Sequence, residues 1–230
     1  MPDAPVPKVF LSWPIDVAPE RGRVQAVAAK LNREYEGLVL ETVLWEEQFY
    51  KADRSFQRQI LASTACDIVV SIFWTCTGTE PPPDFPGMPN GKAYPSGTTY
   101  ELLTALEASK SKGVADVYVF RKTADAALSA ADAERHRQMQ TQLDALEASW
   151  SEWFKAETGQ FKGAFQSFGN TDGFEQQIEL LLRQWLQTHC DLGPRVAWPG
   201  SPFRGAGPVR GRARSGVLLA DRRPRRVAPQ

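Results

Sequence analysis

The sequence predicts an α/β protein: a parallel sheet of about five strands with helices on both faces. Two observations carry that expectation. Apolar runs and amphipathic segments alternate from Lys8 to Arg121 as strand, helix, strand, helix, strand, helix, strand. The third run, Asp67-Ile-Val-Val-Ser-Ile-Phe73, is apolar at both odd and even positions, as in a central strand covered on both faces.

Residues 1–7 are a proline-rich lead-in, and the domain is expected over 8–190. Lys8 to Ser12 reads as a short buried strand, and Trp13-Pro14-Ile15-Asp16 as the loop after it. A helix is expected from about Glu20 to Tyr35, with Val24, Val27, Ala28 and Leu31 inward and Gly37 ending it. Leu38 to Trp45 alternates as a second strand, with Leu38, Leu40, Thr42 and Leu44 on one face and Val39, Val43 and Trp45 on the other. Glu46 to Ala52 reads as a loop and Ser55 to Thr64 as a helix. After the third strand comes a long loop, Thr77 to Gly97, of the kind usually functional or disordered in a compact domain. Val114 to Arg121 is the fourth strand.

Residues 126–157 form a polar, Ala-rich helical stretch with an apolar stripe through Met139, Leu143, Leu146, Trp150, Trp153 and Phe154. The stripe suits a helix that covers the sheet or an oligomer contact. Phe161 to Phe168 reads as a fifth strand, and Phe174 to Gln187 as a last amphipathic helix after Asn170-Thr-Asp-Gly173.

Between the long loop and the fourth strand, Tyr94-Pro-Ser-Gly-Thr-Thr-Tyr-Glu101 opens a helix whose apolar face is Leu102, Ala105, Leu106 and Ala108. Glu101 has two readings. Thr98-Thr99-Tyr100-Glu101 fits a capping box, in which the carboxylate ties off the helix's own N-cap amide. Ligands of parallel sheets, however, bind outside the carboxyl ends of the strands. The residues expected at those ends are Ser12 and Trp13, Trp45 and Glu46, and Trp74 and Thr75, with Glu101 opening the helix after the third. Three tryptophans there would make an aromatic rim for a base or ring, although each alone is more often packing.

Composition narrows the classes. Of 230 residues, 42% are hydrophobic and 23% charged, which fits a globular domain with a core of ordinary size. No apolar run is long enough to span a membrane, and the start lacks the basic and apolar regions of a signal peptide. A cytoplasmic protein is expected. Cys66, Cys76 and Cys190 are scattered, and His136 and His189 sit far apart, so neither a zinc site nor a Cys/His nucleophile is expected. No Walker or GxGxxG loop occurs, which disfavours ATP hydrolysis and hydride transfer. No cofactor is expected.

The net charge of zero hides an asymmetry. Residues 191–230 hold nine Arg and two Asp, a balance of +7, so the preceding 190 carry −7. This tail is rich in Pro, Gly and Arg and without apolar periodicity, so disorder is expected. With Phe203 its sole interleaved aromatic after Trp198, it is a poor nucleic-acid patch. Beyond about residue 206 its bias is that of a GC-rich gene read out of frame. A frameshift or early stop that cut off a longer protein is expected, and sequencing the locus for a downstream frame tests it.

The motifs together resemble the TIR-like superfamily, which includes Toll/interleukin-1 receptor domains and nucleoside 2-deoxyribosyltransferases. Val9-Phe-Leu-Ser12, followed by Asp16, resembles the first strand and loop of TIR domains. Ile60 to Ser71 is similar to the helix-to-strand segment before their signature helix, and Ser96-Gly97-Thr98-Thr99-Tyr100-Glu101 resembles the Gly-Thr-x-x-Glu turn of the deoxyribosyltransferases. Residues 8–190 resemble the N-terminal domain of bacterial STAND NTPases with WD repeats, large regulatory and defence proteins. Trp198-Pro-Gly-Ser-Pro-Phe-Arg-Gly205 resembles the linker before their NTPase module. The loop before Glu101 is longer than in typical TIR domains, and the helix over 126–157 is an addition.

The resemblance implies a flavodoxin-like, TIR-like fold and a role in signal transduction or anti-phage defence. It implies cleavage of the N-glycosidic bond of NAD or a related nucleotide, with Glu101 as the catalytic carboxylate. Ser12 and Asp16 would orient ribose or phosphate, Ser96, Gly97 and Thr98 of the turn would also bind the substrate, and Trp13, Trp45 or Trp74 would stack on the base. Glu46 would be a second carboxylate at the site, against the commoner reading of a solvated loop position. The partners implied are a nucleotide substrate, a second copy of the chain, or the NTPase module of longer relatives. The competing class is a non-catalytic interaction module acting by self-association, with the Trp150/Trp153/Phe154 stripe as its surface.

Overall fold

The computed structural model describes residues 6–44, 63–82, 85–125, 133–154 and 163–190. Five strands, β1 (Lys8–Ser12), β2 (Glu41–Val43), β3 (Ile68–Phe73), β4 (Asp116–Lys122) and β5 (Gln166–Phe168), form one sheet. Its order is β2-β1-β3-β4-β5, and every neighbouring pair is parallel. This is the flavodoxin-like order, α/β with helices on both faces. The chain leaves β1 in one direction and returns on its other side as β3, so the topological switch point lies between them. Register pairs Ser12 with Ser71 across that point.

Strand alternation decides what each face buries. Val9, Leu11, Ile68, Val70, Ile72 and Phe120 point one way. They meet Val24, Val27, Ala28 and Leu31 of α1 (Ala18–Glu34) and Phe174, Ile178, Leu182 and Leu186 of α4 (Thr171–His189). Phe10, Val69, Phe73 and Val119 point the other way, under Leu102 and Ala105 of α2 (Gly97–Lys112) and Leu146, Trp150 and Phe154 of α3 (Ala133–Phe154). All six residues of β3 are buried, as its two-faced apolar run predicts.

Several boundaries shift from the sequence reading. α1 begins at Ala18, two residues early, because Pro19 suits the first turn. β2 shrinks to three residues. Leu38, Leu40 and Leu44 still share one face, and Val43 the other, while Val39 stays exposed. Ser63–Ala65 is a 3-10 turn rather than the end of a helix, and the rest of the helix expected over 55–64 lies outside the described residues. β5 is confined to Gln166–Phe168 within the stretch expected from Phe161. α4 starts three residues early, because the Asn170 side chain accepts from the Gly173 amide at 2.8 Å and caps it. Trp45, Glu46 and the 191–230 tail lie outside the described residues.

The stripe on α3 is core. Trp150 and Phe154 are 4% and 3% exposed, and Trp150 packs edge-on to Phe73 with centroids 5.9 Å apart. Leu146, Trp150 and Phe154 cover the sheet, while Met139, Leu143 and Trp153 of the stripe stay half-buried. Trp150 and Phe154 are therefore not a partner surface. Among the described residues no helix is long and apolar enough to cross a membrane.

Candidate active site at the strand ends

The start of α2 is built differently from a capping box. Ser96 is the N-cap: its Oγ accepts from the Thr99 amide at 3.0 Å and donates to the Thr77 carbonyl at 2.5 Å. Counting from Ser96, Glu101 is the fifth helical residue, and no acidic residue lies in the first turn. The cap reading of Glu101 is thereby overturned. Ser96 and Thr98 both make good N-caps, and the chain uses the earlier one. Extended backbone at Ser96 and its bond to Thr77 fix that choice.

Two residues of register turn the Glu101 carboxylate toward the sheet. Ser12, the last residue of β1, donates its Oγ–H to Glu101 Oε2 at 2.7 Å, with the Thr98 carbonyl as a longer second acceptor at 3.3 Å. Ser12 is fully buried and Glu101 half-buried. Ser63 Oγ donates to the Glu101 carbonyl at 3.2 Å, bracing α2 from the turn before β3. Gly78 (φ +105°) makes room for this helix start, since a Cβ there would lie 2.9 Å from Thr98 Oγ1. The long loop is clipped to α2 by Ser96, by the Gly97 amide on the Thr79 carbonyl (3.2 Å), and by Phe85, Tyr94 and Tyr100 in mutual edge-on contact.

Asp16 lies across the switch point. Its Oδ2 accepts from both the amide and the hydroxyl of Thr75, each at 2.8 Å, tying the loop after β1 to the loop after β3. Its Oδ1 is buried with no hydrogen-bond partner among the described residues. Burial first, then the Asp16 charge, pushes the neighbouring Cys76 thiol up to about 12. Cys76 is therefore a protonated packing group and no nucleophile.

Ser12, Asp16, Ser96, Gly97, Thr98 and Glu101 thus gather at the carboxyl ends of β1 and β3. Trp13 and Trp74 do not join them. Both pack into the cluster under α1 and α4, on the opposite face from Glu101. Arg21 sits 5.0 Å above the Trp13 ring. Lys122 sits 4.1 Å over Trp74, whose Nε1 donates to the Ala124 carbonyl at 2.8 Å. The aromatic rim expected at the carboxylate is not formed by these two.

Sequence reasoning misses Ser71, and it places Thr75 at the end of the third strand without giving it a role. Ser71 is fully buried, its Oγ is without a hydrogen-bond partner among the described residues, and it stands beside Ser12. It is the one polar residue in β3, a signal visible in the sequence once the strand is known to be central. A separate groove of about 660 Å³ runs between the long loop, α2 and α3, lined by Met88, Tyr94, Leu103, Leu106, Glu107 and Trp153 among others. None of the expected catalytic or substrate-binding residues lines it, although Trp153 of the α3 stripe does. Among the described residues no group of three or more His, Cys, Asp or Glu could hold a metal ion.

No protein-family model matches this chain, and searches of curated proteins and of solved structures find no match.

Proposed function

We propose that this chain is a TIR-like effector or signalling domain of a STAND-type defence protein. We infer that it cleaves the N-glycosidic bond of NAD or a related nucleotide, with Glu101 as the carboxylate. One observation carries the reading: Glu101 is not spent on its own helix cap, and Ser12 holds it at the β1/β3 switch point. An acid placed there, half-buried and oriented by a buried hydroxyl, suits chemistry on a bound ligand.

The reaction makes use of that placement. The bond between ribose C1′ and the nicotinamide nitrogen breaks, and its electron pair leaves with the base. Positive charge then develops across C1′ and the ring oxygen. A fixed carboxylate stabilises that charge more than it stabilises the ground state, which is the condition for lowering the barrier. Water completes the reaction by giving its oxygen to C1′, and Glu101 accepts the proton released. Ser12 fixes the carboxylate's rotamer throughout.

The test is NAD consumption by concentrated protein, read as nicotinamide release by chromatography, beside Glu101→Gln. The substitution keeps the shape and removes the charge, so release is expected to fall by about a hundredfold or more. Equal release by both proteins removes Glu101 from the chemistry. Absence of release from wild type, even when clustered by a fused oligomeriser, removes NAD cleavage and leaves the self-associating module as the reading.

A further inference from the structure

Asp16 and Thr75 form a contact that the chemistry above does not use. The Thr75 amide and hydroxyl converge on one oxygen, Asp16 Oδ2, both at 2.8 Å. Two donors aimed at a single anionic oxygen are the elements of an oxyanion-binding corner. They stand on the loop after β3, beside the switch point at which doubly wound sheets take their ligands. The oxygen they hold comes from the turn after β1, so the contact bridges the crevice from one wall to the other. Behind it, Ser12 is fully buried.

The bridge is imperfect. Asp16 Oδ1 is out of solvent and has no hydrogen-bond partner among the described residues. A carboxylate oxygen so placed has lost its water, and the Cys76 thiol beside this carboxyl group is only a weak donor. The turn carrying it, Ile15–Val17, leaves the Ile15 residue 86% exposed. Pro14 and Val17 on either side of it are buried, so the turn stays seated and release takes the Asp16 side chain alone.

We propose that the Thr75 amide and hydroxyl are a subsite for a ligand phosphate, and that Asp16 is its intramolecular occupant. Asp16 is then an autoinhibitory latch across the crevice. This rests on the crevice being a nucleotide site. A phosphate oxygen takes the place of Oδ2 on Thr75, and the released Asp16 turns outward to water. Closure lowers the apparent affinity by the fraction of molecules that stay latched.

Ribose 5-phosphate and ribose, titrated against the whole chain and followed by the Thr75 amide resonance, test this. Asp16→Ala is expected to bind ribose 5-phosphate about tenfold or more tightly than wild type, with ribose unchanged. Adding Thr75→Val, which deletes half of the donor pair, takes back most of the gain. Asp16→Asn, neutral and of the same volume, carries the test if the alanine variant loses its fold, and it is expected to gain in the same direction. Unchanged affinity in the Asp16 variants overturns the proposal and leaves a purely structural staple. So does a gain that survives Thr75→Val, or one equal for ribose and ribose 5-phosphate. Nicotinamide release is not read here, so a phosphate-specific gain in a protein that never cleaves NAD sinks the glycohydrolase and keeps the latch.

Discussion

At the scale of single residues, the account depends on one hydroxyl and one carboxylate. Ser12 has a single proton and two acceptors, and the shorter contact is to Glu101. The proton follows the negative charge, because a charge-assisted bond is about twice as strong as a neutral one. Ser12→Ala leaves the carboxylate present but without the bond from β1 that orients it. Turnover is expected to fall roughly ten- to a hundredfold with a smaller change in KM, as orientation is lost while charge remains. Steady-state kinetics of nicotinamide release reads it. A change confined to KM would make Ser12 a substrate contact instead. Trp13 and Trp74 teach the converse lesson. Their place just past a strand end is legible, but the face they join depends on parity. Val9, Leu11 and Trp13 share one side of β1, and Phe10 and Ser12 the other. Ile72 and Trp74 likewise share a side opposite Phe73. Applied to the last residue of each strand, period-two alternation places both rings away from Glu101.

At the scale of elements, the start of α2 decides where Glu101 points. Ser96→Ala removes the acceptor for the Thr99 amide and the donor to Thr77 in a fully buried position. A loss of about 1–2 kcal/mol is expected in urea unfolding. Activity is expected to fall beyond that, because the loop and helix start are clipped together there. Across the other face, α1 and α4 are joined by an ionic bracket. Arg183, 5% exposed, donates to Glu179 and Glu34, and Lys30 bonds Glu179 at 2.9 Å. Burial works to raise the Glu179 carboxyl, but the bonds from Lys30 and Arg183 outweigh it and hold the group below its ordinary value. The folded value is therefore the lower one. The stabilisation is complete above the ordinary carboxylate range and is lost as pH falls through the folded value. Glu179→Gln is expected to destabilise the protein by roughly 1–3 kcal/mol near pH 7, with the difference shrinking below about pH 4. Thermal melts of both proteins at the two pH values check the sign.

At the scale of the molecule, the sheet order makes these details a site. Strand order is not written in any one segment, but the alternation of strands and helices, with β3 apolar on both faces, restricts it to a parallel sheet with β3 inside. That much was legible, as was Ser12 at a strand end and Glu101 on the following helix. The Asp16–Thr75 bridge was not, because it joins residues 59 apart through loops with no periodic signal. The α2 cap was misplaced by two residues, because Ser96 and Thr98 have equal local claims and the deciding bond comes from Thr77. The most direct check on the whole reading is where NAD lands. Amide chemical shifts of the Glu101→Gln protein, which binds without turnover, are recorded with and without NAD. The account predicts changes centred on Ser12, Asp16, Thr75 and Thr98. Changes centred instead on Met88, Leu106 and Trp153, the separate groove over α2 and α3, or no changes at all, would contradict it.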